Sequence, residues 1–218
     1  MPLIYYIYNV TLSNLLSRGD ILMEILYDLL KAIHVVSFVF MSVPLFNLIV
    51  VNERGRFGPD INLPVDTFME NILSGGAPRC FAFQSTVGIS GILLLVLGPI
   101  GIEAIWTDWI IGSKTLLLFV LIVLLSRVHL KIQPEIDALF VKIKEGEPVS
   151  EEVIVGLKPL RALRKKLASF CLFLVLTIII LGLQVNTVFA PALNLLLIFL
   201  AALFARRAYS KGTPLGWF

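Results

Sequence analysis

The chain has 218 residues, 58% of them hydrophobic and 15% charged, with a mean hydropathy of +0.92 and a formal net charge of +3 at pH 7. An average soluble domain is roughly 45–50% apolar and 25% charged, so this composition describes an integral membrane protein of all-α class in a single bundle. So small a positive charge, carried where membrane topology already accounts for it, sets nucleic acid aside as a partner. Cys80 and Cys171 form neither a CxxC pair nor a ligand set with histidine, so no zinc or iron–sulfur site is written here.

Residues 1–22 lack the basic start and small-residue cleavage site of a signal peptide. Two expectations stand for them. Arg18-Gly19-Asp20 is encodable by a purine-rich ribosome-binding run just before Met23, which would make Met23 the start. Otherwise the segment is a short interfacial helix anchored by Tyr5, Tyr6 and Tyr8. Residues 23–218 then form one transmembrane helical bundle domain.

The first span is expected at about 25–51, with a kink at Pro44. Asp28, Lys31 and His34 recur at a spacing of three, which puts them on one helical face near the start of the span. An ionisable group at that depth is costly and marks a functional-site candidate. The connection 52–80 carries turn chemistry at Gly55, Gly58-Pro59, Pro64 and Gly75-Gly76. Within it Thr67 to Glu70 has capping-box spacing, and Phe68, Met69, Ile72 and Leu73 form an apolar stripe suited to a short helix on the membrane surface.

The second span is expected at 81–105, where Gly88, Gly91, Gly98 and Gly101 give small faces for a neighbouring helix or a flat ligand. The third, at 109–131, opens on the aromatic belt of Trp106 and Trp109 and carries Lys114 in its first turns. The connection 132–166 is acidic at Glu151 and Glu152 and basic at its end, as an amphipathic helix on anionic lipid would be. The fourth span is expected at 167–188 and the fifth at 190–207, with a tight turn at Phe189-Ala190-Pro191. No internal repeat is found.

Lys and Arg crowd the connection 132–166 and the tail at Arg206, Arg207 and Lys211, with Arg54, Arg56 and Arg79 in the connection 52–80. The positive-inside rule then puts the N-terminus outside and the C-terminus in the cytoplasm, in a cell inner (plasma) membrane. From outer ends at Tyr27 and Trp109, His34 lies about 10 Å and Lys114 about 8 Å deep, at one level, whereas His129 lies on the order of 30 Å down. The two histidines are therefore not expected to clamp one haem, and His129 reads as an interfacial residue. Gln184, Asn186, Asn194, Glu103 and Asp108 fall near the level of His34 and could border an outward-facing polar cavity.

Leu30-Lys31-Ala32-Ile33-His34 in a first span, with Asp108-Trp109-Ile110-Ile111-Gly112-Ser113-Lys114 opening a later one, resembles the HemJ-type protoporphyrinogen oxidases. The same residues are similar to the CopD-like copper-resistance membrane proteins and their uncharacterised integral membrane relatives. The resemblance covers about residues 24–132. It implies a first-helix histidine and a lysine after a tryptophan as a functional pair with a b-type haem, roles that fall on His34 and Lys114.

Two functions are expected. In one, His34 is an axial ligand of haem b, Lys114 pairs with a propionate or an acidic substrate group, and electrons come from a tetrapyrrole or quinol. In the other, the chain is a non-catalytic subunit of a larger membrane complex or a small transporter, copper included. There Asp28, Lys31 and Lys114 make an intramembrane ion-pair network that holds the helices.

Overall fold

The structure, a computed structural model, describes residues 2–52, 63–143, 149–185 and 187–209, with 2–20, 52, 63 and 74 described by backbone alone. Among these residues there is no strand. Eight α-helices follow in order: α1 (Pro2–Asn52), α2 (Leu63–Ser74), α3 (Gly76–Leu97), α4 (Ala104–Thr107), α5 (Trp109–Arg127), α6 (Gln133–Val141), α7 (Glu151–Gly182) and α8 (Pro191–Ala208). Five of the helical stretches are long and apolar enough to cross a membrane, which makes this a multi-pass membrane protein.

Residues 2–22 continue the helix of the first span rather than forming a separate element. The side chains of Tyr5, Tyr6 and Tyr8, with Arg54, Arg56, Asn186 and Lys211, lie outside the described residues. Helix α1 runs on through Pro44, whose ring removes the backbone donor for the preceding turn. The Cys80 thiol of α3 donates to Met41 O in that turn at 3.5 Å, and Gly76 lets the start of α3 come up to Pro44.

Helix α3 ends at Leu97, eight residues before the expected end of the second span at 105. The break has a local cause. Gly98 leaves the helix in extended conformation, Pro99 follows it, and Gly101 adopts a φ of 83°, a left-handed value that a side chain disfavours. The chain re-enters a helix as the single turn α4, and Asp108 then starts α5.

Helix α5 does not stop at 131. It passes through a π-helical turn, Val128–Ile132, into α6, so the third span and the start of the expected connection form one continuous rod. Likewise α7 begins at Glu151, with Glu151 and Glu152 in its first turn, and continues to Gly182. Lys158, Arg161, Arg164, Lys165 and Lys166, expected on a surface segment, are thus on the shaft of a spanning helix.

Helix α7 is the centre of the bundle, with its Cys171, Leu174, Val175 and Ile178 packed against Met41 of α1, Cys80 of α3 and Leu121 of α5. Ala168 and Leu172 on another face meet Ala205 of α8. Small residues at these contacts let backbones approach, which matters because burial of apolar surface gains little when the alternative neighbour is a lipid chain. The outward faces of α1, α3, α5 and α8 carry exposed Val, Leu, Ile and Phe, as a surface in hydrocarbon requires.

Candidate functional site

His34 projects from α1 onto α3. Its Nδ1 lies 3.0 Å from Ser90 Oγ. Ser90 has one hydroxyl proton and gives it to Thr86 O at 2.6 Å, the usual intrahelical bond of a buried serine. With that proton on Thr86 O, Oγ is free to accept from Nδ1–H, and in that tautomer the lone pair lies on Nε2. Gly91, the next residue of α3, is bare where the ring sits: a methyl group there would fall 3.2 Å from His34 Cε1. A side chain at 91 would thus press on the imidazole, and the ring would have to give by a few tenths of an ångström.

Lys114 is brought to the same region from the other side. It stands in the second turn of α5, facing α7, where a methyl group on Gly182 would sit 3.8 Å from its Nζ. Its charge is close enough to act on His34, and that of Asp108 is close enough to act on Lys114. Asp108 itself is a helix cap: Oδ1 accepts from the N–H of Ile110 at 2.7 Å and of Ile111 at 3.1 Å. Asp108 thus caps the helix that carries Lys114.

Gln184, Asn194, Asp28 and Lys31 have structural partners. Gln184 is buried and its Nε2 donates to Asn194 Oδ1 at 3.1 Å, tying the end of α7 to α8. Its Oε1 is buried without a partner among the described residues. Lys31 pairs with Asp28 at 2.9 Å and lies over the Tyr27 ring, an exposed arrangement on α1 alone. Lys114 takes no part in that ion pair, so the three-residue network expected from Asp28, Lys31 and Lys114 is not formed.

His129 is on the π-helical turn, edge-on to Phe81 at 5.8 Å. Phe81 and Ser90 are nine residues apart on α3, about 13 Å by helical rise, so the two histidines sit at well-separated levels.

The strongest electrostatic feature lies at that second level, and neither periodicity nor motif spacing exposed it. Arg164 of α7 holds Glu70 of α2 with two bonds, Nη1 to Oε2 at 2.6 Å and Nη2 to Oε1 at 2.9 Å, and donates to Gln133 Oε1 at 3.0 Å. Gln133 in turn donates to Asp137 at 2.9 Å. Arg161 reaches Asp66 at 3.0 Å and Glu70 at 3.2 Å. Glu70 is therefore an ion-pair partner and not the closing residue of a capping box.

The orientation of α2 follows from these bonds. Asp66 and Glu70 are 1% and 6% exposed, whereas Phe68 and Ile72 are 66% and 41% exposed. The charged face turns inward to the arginines and the apolar stripe turns out. Beside the network, Arg164 and Gln133 border a cavity of about 100 Å³ that also touches Cys80 and Cys171. Among the described residues no three His, Cys, Asp or Glu side chains converge as a metal-ligand group. Comparison of the chain with protein-family models, curated proteins and solved structures gives no match to any of them.

Proposed function

We propose that the protein is a haem b-binding redox protein of the membrane, of HemJ/CopD-like type, with His34 and Lys114 as the residues that hold the group. The observation that carries this reading is the Ser90 contact. An imidazole whose Nδ1–H is anchored keeps Nε2 as its ligating nitrogen, the second-shell arrangement that metal-bound histidines use.

His34 would hold the iron through Nε2, and Lys114 would pair with a propionate or with an acidic group of the substrate. The haem, when bound, supplies one-electron chemistry. Ser90 orients the ring and fixes its tautomer. Lys114 attracts a carboxylate in surroundings of low dielectric, where such a pairing is stronger than in water. The electron donor on this reading is a quinol or a reduced tetrapyrrole that reaches the site from the bilayer. The basic end of the bundle, with Arg161, Arg164 and Arg206, faces the cytoplasm by the positive-inside rule, which leaves His34 in the outer half.

The test is the visible spectrum of detergent-purified protein from haem-supplied cells. A Soret band with reduced b-type peaks is expected, and it is lost in His34→Ala while the protein remains inserted. Wild-type protein without a Soret band overturns the reading. In that event the second reading stands, a non-catalytic subunit or small transporter. It is favoured by the buried network of Glu70, Arg164, Arg161 and Asp66, which joins α2 to α7 without reference to His34.

A further inference from the structure

We propose that the groove between α7 and α8 is a binding site for an anionic glycerophospholipid, with the phosphate at Lys166 and Arg206 and an acyl chain along Phe170 and Phe173. The groove is open with a volume of about 540 Å³, and none of the described residues that line it is acidic. Its polarity is graded along the helix axes. Lys165 and Lys166 on α7 and Arg206 on α8 stand at one end. Phe173 lies seven residues further along α7 from Lys166, about 10 Å by helical rise, and Ala202 lies one turn in from Arg206 on the antiparallel helix.

A cation-lined mouth that passes into an aromatic and alanine-lined trough matches a molecule whose anionic group precedes a hydrocarbon chain. A free anion would leave the trough unused, and a zwitterionic headgroup would bring its own cation to the lysines. Two hydrogen bonds fix the helices that form the groove. Ser169 Oγ donates to Ala205 O at 2.9 Å, which fixes α8 close to α7 at the floor. Tyr209 donates to Leu45 O at 2.8 Å, which pins the end of α8 to α1. Basic pockets between spanning helices are known binders of acidic headgroups, each nearby Lys or Arg adding measurably to affinity.

The experiment uses the full chain in detergent, titrated with dioleoyl phosphatidylglycerol, dioleoyl phosphatidylcholine, or inorganic phosphate, with co-purified lipid and the melting temperature as readouts. Phosphatidylglycerol is expected to be retained and to raise the melting temperature, while phosphatidylcholine and phosphate do neither. Lys166 and Arg206 are both exposed, so K166Q/R206Q leaves the helix contacts in place and should weaken phosphatidylglycerol binding about tenfold or more. Phe170→Ala should weaken the lipid as well, because the chain loses its wall. Equal retention of the two lipids by wild type, a full effect from phosphate alone, or unchanged affinity in K166Q/R206Q each overturns the proposal.

Discussion

Arg164 and Glu70, ninety-four residues apart in the chain, form a two-pronged ion pair with both side chains buried, and this pair docks α2 against α7. Removing Glu70 strands the Arg164 charge away from water with only the neutral Gln133 beside it, whereas removing Arg164 leaves Glu70 paired with Arg161. Glu70→Ala should therefore cost about 3–5 kcal/mol and lower the melting temperature in detergent, and Arg164→Ala should cost less. The double replacement E70L/R164M should recover most of that loss, since no charge is left unpaired. Equal destabilisation in the single and double variants would show that shape and not charge compensation governs the contact.

Ser90→Ala separates an anchored ligand from a merely packed histidine. If His34 ligates iron, loss of the anchor should weaken haem retention by about 10- to 100-fold and shift the reduction potential, with the helices still assembled. Lys114→Met keeps most of the stem and deletes the charge, so haem should remain, with a changed potential, if the lysine only pairs with a carboxylate. Loss of haem in Lys114→Met would instead make the lysine a ligand. Loaded protein with an unaltered spectrum in Ser90→Ala and His34→Ala would remove the histidine from the site.

The glycines of α3 and of its C-cap are not equivalent. A methyl group at Gly98 would fall 2.5 Å from Leu94 O and 2.7 Å from Tyr27 Oη, whereas at Gly88 it would rest 3.8 Å from Leu118. Gly98→Ala should therefore destabilise by about 1–3 kcal/mol, while Gly88→Ala should be neutral or stabilise by up to about 1 kcal/mol. Gly91→Ala should fall between them and should also move the His34 ring. Thermal melting of the three variants, with the spectrum as second readout for Gly91→Ala, checks the order, and a Gly88→Ala loss equal to that of Gly98→Ala would contradict it.

Orientation is open to a direct labelling test. Thr107 and Ser150 are both exposed and lie at opposite ends of the bundle, and the native thiols of Cys80 and Cys171 are buried, so they add little background. With the basic end in the cytoplasm, Thr107→Cys should react with an impermeant reagent in intact cells and Ser150→Cys should not. The opposite pattern would invert the membrane orientation and move His34 to the inner half.

Five spans and their approximate places were legible in the sequence, because a spanning helix must satisfy its own backbone and present about twenty apolar residues to lipid. These are local properties of a segment, and no knowledge of neighbours is needed to find them. The ends of the spans were less legible. The stop at Leu97 depends on the conformations that Gly98 and Gly101 adopt, and α5 passes the expected boundary because its backbone continues through a π-helical turn.

What a polar residue does was decided only by the tertiary structure. Glu70 at capping-box spacing, Arg164 in a topological cluster and Asp108 at a helix mouth each permit a sound local explanation. The first is displaced once the helices are packed, because Glu70 finds Arg164 from a helix elsewhere in the chain, whereas Asp108 keeps a local role as the cap of its own helix. Ser90 carried no signal at all, since its relation to His34 exists only where α1 and α3 cross. A hydrogen bond or an ion pair is set by which faces meet, and sequence periodicity records that a face exists without recording its partner.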